Sequence, residues 1–175
     1  MNLSNGEKLI LVMLSDIYEK LNIDAEIDHK FIKEAIASDN LWGIGWKYEW
    51  IFQQYNETPD IVREVVDILD MWSFIEDGYN NLSAKEQTLV QSNNRSIKFI
   101  GFDGNNEPEY HIARFIISKL NRFSVFSGRN LDSHCPCVGG YKKMLKIFTP
   151  IRETLDGTKL DANQIIEILN ARKHI

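Results

Sequence analysis

The chain has 175 residues, 43% hydrophobic and 26% charged, with 25 acidic side chains against 20 basic ones. That length suits a single domain spanning 1–175 with a core of its own. A net charge of −5 without any Lys/Arg cluster withholds the electrostatic footprint of a nucleic-acid or membrane-surface binder. The longest early apolar run, residues 9–14, is too short to span a bilayer and lacks the flanks of a signal peptide. A cytoplasmic protein is therefore expected. Cys135 and Cys137 stand one residue apart and cannot form a disulfide framework.

Ser4-Asn-Gly-Glu7 is a capping box, and Leu9, Ile10, Met13, Leu14, Ile17 and Leu21 then share one face of a helix over 5–21. A second helix is expected over 25–37, with Ile27, Phe31, Ile32, Ala35 and Ile36 inward. In the aromatic-rich stretch 40–55, Trp42, Trp46 and Trp50 recur every fourth residue and would share a helical face. Gly43 and Gly45 oppose that helix by roughly 1 kcal/mol each. Core or subunit-interface packing explains these tryptophans more simply than an aromatic cage.

The stretch over 59–82 organises the rest. Ile61, Val65, Ile68, Trp72, Ile75, Tyr79 and Leu82 form an unbroken helical seam, with Val62, Val66 and Leu69 on its flank. Met71 and Phe74 fall outside that stripe, and Arg63, Asp67, Asp70 and Asp77 make a narrow polar strip. Such a helix is wrapped by others on most sides. Thr58 is the expected N-cap and Pro59 the first helical residue.

A second capping box, Ser83 to Glu86, opens a short helix to about residue 91. Residues 91–96 read as a polar loop and 98–102 as a short extended piece. Helix resumes over 107–123, with Pro108 in its first turn and Glu107 and Glu109 complementing its dipole. Residues 124–137 are irregular. Tyr141, Met144, Leu145, Phe148 and Ile151 set a helix over 138–153, and Asp161 with Gln164 caps a last one. Helix is the one recurring period, so the fold class is all-α, a single multihelical domain of seven to eight helices around the 59–82 helix.

Oxygen side chains at alternate positions in 102–109 first suggest calcium. An EF-hand loop counted from Asp103 needs glycine sixth and glutamate twelfth, where this chain has Pro108 and Arg114. The stretch 128–137 holds the densest set of reactive side chains. His134, Cys135 and Cys137 could be three zinc ligands, but no second pair completes the site, and His29, His111 or His174 would join it only by accident of folding. No metal and no cofactor is expected, and a loop pinned by hydrogen bonds from Arg129, Asp132, Ser133 and His134 is the plainer account. No phosphate loop, nucleophile elbow or dinucleotide fingerprint occurs.

The chain resembles the YfbU family. The resemblance is carried by Asp67-Ile-Leu-Asp-Met-Trp72, Phe102-Asp-Gly-Asn-Asn-Glu107, Ile112-Ala-Arg-Phe115, Arg122-Phe123, Gly128-Arg-Asn-Leu-Asp-Ser-His134 with Pro136, and Tyr141 with Met144-Leu145. Phe148, Pro150-Ile-Arg152 and residues 164–171 continue it. It implies a multihelical fold and a cytosolic bacterial protein, and supplies no reaction or catalytic residue. It also implies apolar residues where Cys135 and Cys137 stand, which lowers the metal and thiol readings.

If a site exists, the candidates are Asp103, Glu107, Arg129 and His134, on two loops expected to come together. The favoured function is a non-enzymatic interaction or regulatory protein that self-associates, most simply as a homodimer, through apolar and aromatic helical surfaces. The alternative is an enzyme acting on a small polar or anionic substrate, with His134 as acid–base and Arg129 as anion clamp. Nucleic-acid binding would need a local basic face from Arg114, Lys119, Arg122 and Arg129.

Overall fold

The computed structural model describes residues 2–52, 58–94 and 97–172. Within them run eight helices: α1 (Asn5–Leu21), α2 (His29–Ala37), α3 (Leu41–Lys47), α4 (Asp60–Asn81), α5 (Ala84–Asn93), α6 (Glu109–Ser118), α7 (Val138–Glu153) and α8 (Ala162–Ala171). A 3-10 turn, Ser124–Phe126, precedes α7. Among the described residues the sole pairing of extended backbone is an isolated parallel bridge between Phe102 and Asp132. The all-α expectation holds.

α4 lies at the centre, packed by α6, α7 and α8. Val65, Ile68, Trp72 and Ile75 are wholly buried. So is Met71, outside the expected seam, because the surrounding helices cover more than one stripe. Phe74 is half-buried and meets the Phe148 ring at 5.5 Å. Each such side chain contributes about 1.5–3 kcal/mol on leaving water. Trp72 anchors an aromatic hub, with ring centroids 6.0 Å from Phe99 and 5.6 Å from Tyr141.

Several boundaries differ from expectation, each for a local reason. α4 starts one residue later, with Pro59 as the extended N-cap, and the Thr58 hydroxyl instead accepts from the Trp46 indole N–H at 3.2 Å. α2 starts at His29 because Asp28, not a residue near 25, accepts from the Phe31 N–H at 3.0 Å. α3 stops at Lys47, so Trp50 lies beyond it and is exposed, away from the face of Trp42 and Trp46. A Cβ on Gly43 would sit 2.5 Å from the Phe115 ring, so this glycine permits α3 to approach α6. Residues 53–55 of the expected stretch 40–55 lie outside the described residues, as do 95–96 and His174. α6 ends at Ser118 rather than 123, because Asn121 and Phe123 adopt left-handed backbone, φ 53 and 52. Pro108 is its N-cap, outside the first turn.

α1 occupies its expected span, closed at the start by the Ser4–Glu7 capping box. It packs chiefly on α2. Leu11, Val12, Ser15 and Tyr18 form its less exposed face, with the Tyr18 ring 6.0 Å from His29. The opposite face holds Leu9, Ile10, Met13, Leu14, Ile17 and Leu21, each at least 45% exposed. The apolar stripe read from the sequence is real, and it points at solvent.

Candidate functional site

The two candidate loops do come together, and the first tie is backbone. Gly101 turns the chain with φ 89, and a Cβ there would fall 1.8 Å from the Leu131 carbonyl oxygen. That proximity lets Phe102 N–H donate to Leu131 O (2.9 Å) while Ser133 N–H donates to Phe102 O (3.0 Å). Around this crossing the carboxylates are spent on backbone donors. Asp103, buried, accepts from Asn105 N–H at 2.9 Å and from the Asn106 amide at 2.7 Å. Asp132 accepts from Gly104 N–H at 3.1 Å and His134 N–H at 2.9 Å.

Hydrogen bonds to the ionised form lower a carboxyl pKa. The Asn106 side chain and then the Asn105 backbone hold Asp103 below its ordinary value. The His134 and Gly104 backbones do the same for Asp132.

Glu107 joins three segments. Its Oε2 accepts from Asp103 N–H at 2.8 Å, and its Oε1 accepts from Cys137 N–H at 2.7 Å and Val138 N–H at 2.8 Å. The last two are free donors at the start of α7, so Glu107 caps the dipole of α7 rather than that of α6.

Arg129 faces a different neighbour. Its Nη1 and Nη2 donate to the two oxygens of Glu76 on α4, both at 2.8 Å, and Glu76 Oε1 also accepts from Phe99 N–H at 2.8 Å. The guanidinium carbon lies 5.0 Å from the Phe126 ring centroid. Glu76 is nearly buried, and hydrogen bonding to it raises the Arg129 pKa further above its already high value. Arg129 borders two cavities. One, about 680 Å³, is also lined by Glu76, Tyr79, Asn94 and Lys98. The other, about 340 Å³, lies against α6.

His134 lines neither of these two cavities. Its side chain is largely exposed, with Nδ1 3.3 Å from an Asp132 carboxylate oxygen, and its backbone is left-handed at φ 53. The structure thus joins Asp103, Glu107 and the His134 loop in one hydrogen-bonded latch and directs Arg129 to Glu76. Cys135 is exposed and Cys137 buried, both free thiols. No three of His, Cys, Asp and Glu among the described residues cluster to hold a metal ion.

Glu76 went unread in the sequence. A signal was there: it follows Trp72 by one helical turn, on the buried side of α4, and a carboxylate so placed requires a cation.

Together these features define an all-α protein whose polar loops are latched to one another and whose first helix carries a bare apolar face. The chain belongs to the YfbU family, whose YfbU domain matches residues 1–171. A UPF0304 protein of Methanocaldococcus jannaschii is 29% identical over 181 residues, covering 97% of this chain and 99% of that one. A UPF0304 protein of Actinobacillus succinogenes is 30% identical over 119 residues, covering 66% of this chain and 68% of that one. Similarity to an archaeal protein extends beyond the bacterial setting first expected. No helix among the described residues is long and apolar enough to cross a membrane.

Proposed function

We propose that this is a non-enzymatic interaction or regulatory protein that self-associates through α1. The supporting observation is the face formed by Leu9, Ile10, Met13, Leu14, Ile17 and Leu21. Six half-exposed apolar side chains present roughly 600 Å² of surface, at the top of the range for the largest patch of an ordinary monomer. That area is about three quarters of the ~800 Å² each partner gives to a standard interface.

The occupant we infer is a second copy, with the two α1 helices antiparallel about a twofold axis near Met13 and Leu14. In that arrangement Ile10 of each copy meets Ile17 of the other, and the Glu7 end lies beside the Lys20 end. A parallel pair would instead bring Glu7 against Glu7 and Lys20 against Lys20. A cytoplasmic setting suits the two free thiols.

A second reading, an enzyme with Arg129 as anion clamp and His134 as acid–base, draws on the two cavities Arg129 borders. It is weakened by His134 lining neither of them. Glu107, Asp103 and Asp132 are likewise engaged with backbone donors.

Light scattering tests the first reading. The wild-type chain is expected to have twice the monomer mass at micromolar concentration. Leu14→Glu, which replaces an exposed side chain, is expected to keep its helical circular dichroism and become monomeric. The change removes about 2 kcal/mol of burial from each copy, and so weakens association by at least ~100-fold. A monomeric wild-type protein at tens of micromolar would contradict it.

A further inference from the structure

The smaller cavity beside Arg129 has cations as the only charged side chains in its lining. It has a volume of about 340 Å³ and lies between α6 and the turn after it, with Tyr110, Arg114, Ser127, Gly128, Arg129 and Asn130 among its walls. Two guanidiniums line it and no carboxylate does, in a chain whose acidic residues outnumber its basic ones 25 to 20.

Each cation is differently prepared. Arg114 has no carboxylate partner among the described residues, and its guanidinium carbon lies 5.6 Å from the Tyr110 ring centroid. Arg129 is held at 2.8 Å on both Nη atoms by Glu76. A guanidinium has five N–H donors, so about three of those on Arg129 remain outside this pair, shared between the two cavities it borders. The Ser127 hydroxyl and the Gly128 N–H donate to no protein acceptor among the described residues.

We propose that this cavity binds the phosphoryl group of a small phosphate monoester. The Arg114 fork, the N–H groups that Glu76 leaves on Arg129, a hydroxyl and a backbone N–H supply more donors than the two oxygens of a carboxylate can accept. They match the three terminal oxygens of a phosphoryl group. Glu76 neutralises Arg129, so Arg114 supplies the uncompensated charge of the site. Arg114 and Arg129 contact the ligand, and Glu76 acts behind Arg129 as a positioning residue. The volume stands at the lower end of small-ligand cavities, enough for the phosphoryl group and a compact polar body. The site is separate from α1, so it stands or falls independently of self-association.

The test is a titration of the ¹⁵N-labelled full chain at constant ionic strength with inorganic phosphate, glycerol 3-phosphate, succinate and a single-stranded oligonucleotide. Saturable shifts centred on Ser127, Gly128 and Arg114 are expected with both phosphates, tighter for glycerol 3-phosphate. Arg114→Gln, at an exposed position on α6, is expected to keep the dispersed spectrum and weaken binding about tenfold or more. An absence of saturation, an unchanged affinity in Arg114→Gln, or equal affinity for succinate would overturn the proposal. So would tighter, steeply salt-dependent binding of the oligonucleotide, which would assign the cations to nucleic acid instead.

Discussion

Replacing Glu107 separates a structural latch from a chemical site most cleanly. Its carboxylate accepts three backbone N–H groups at 2.7 to 2.8 Å, joining the Asp103 turn to the first residues of α7. Hydrogen bonds to a charged group contribute about 1.5–3 kcal/mol each, and a half-buried setting puts them at the low end of that range. Glu107→Ala then loses about 4–5 kcal/mol, since all three donors are stranded. Glu107→Gln, which keeps one carbonyl oxygen, loses roughly half as much.

For a chain of this size about 1 kcal/mol moves the melting temperature by 2–4 °C. A drop of roughly 8–20 °C is therefore expected for the alanine variant, read by circular dichroism with urea titration as a second measure. Glu107→Ala melting within about 2 °C of wild type would refute the latch.

Two further changes probe the same junction. Gly101→Ala would drive a Cβ to 1.8 Å from Leu131 O in a left-handed backbone, and more than about 3 kcal/mol of stability is expected to go, measured by urea midpoint. The latch is also acid-sensitive. Asp103 and Asp132 have folded-state pKa values below their unfolded ones, so their contribution is complete above the unfolded value and lost as pH falls through the folded one. Amide exchange at Gly104, Asn105 and His134 is accordingly expected to accelerate, beyond its intrinsic pH dependence, as pH drops below about 4. A local probe is needed because burial holds Asp67 and Asp70 above the ordinary carboxyl value, which acts in the opposite sense. Exchange at those three amides keeping its intrinsic pH dependence would contradict this.

The helices were legible wherever their signals are local. The three capping boxes at Ser4, Ser83 and Asp161 fix where α1, α5 and α8 begin. The unbroken seam of α4 announces burial because few other arrangements hide Val65, Ile68, Trp72 and Ile75 at once. Features set by distant partners were not legible. Glu107 looks like an acidic residue opening α6, yet it serves α7, whose Val138 is 31 residues further on. Glu76 and Arg129 lie 53 residues apart, and neither side chain names the other. Gly43 reads as a helix breaker until the Phe115 ring beside it is seen.

The α1 face is a subtler case. Periodicity identifies which residues share a stripe but not whether the chain itself covers it. Here α2 takes the other side, against Ser15 and Tyr18. The Asp103 and His134 loops meet, and the backbone donors they satisfy, such as Val138 N–H on Glu107, lie too far along the chain for either motif to signal the other.

Hydroxyl-radical footprinting of α1 across a dilution series tests the central claim most directly. Met13, 57% exposed in the isolated chain, reports on the middle of the proposed interface through its readily oxidised thioether. Protection of Met13, Leu14 and Ile17 is expected at micromolar concentration, lost together on dilution and absent at every concentration in Leu14→Glu. Oxidation of Met13 at the same rate from the most dilute to the most concentrated wild-type sample would mean that a second copy does not cover this face.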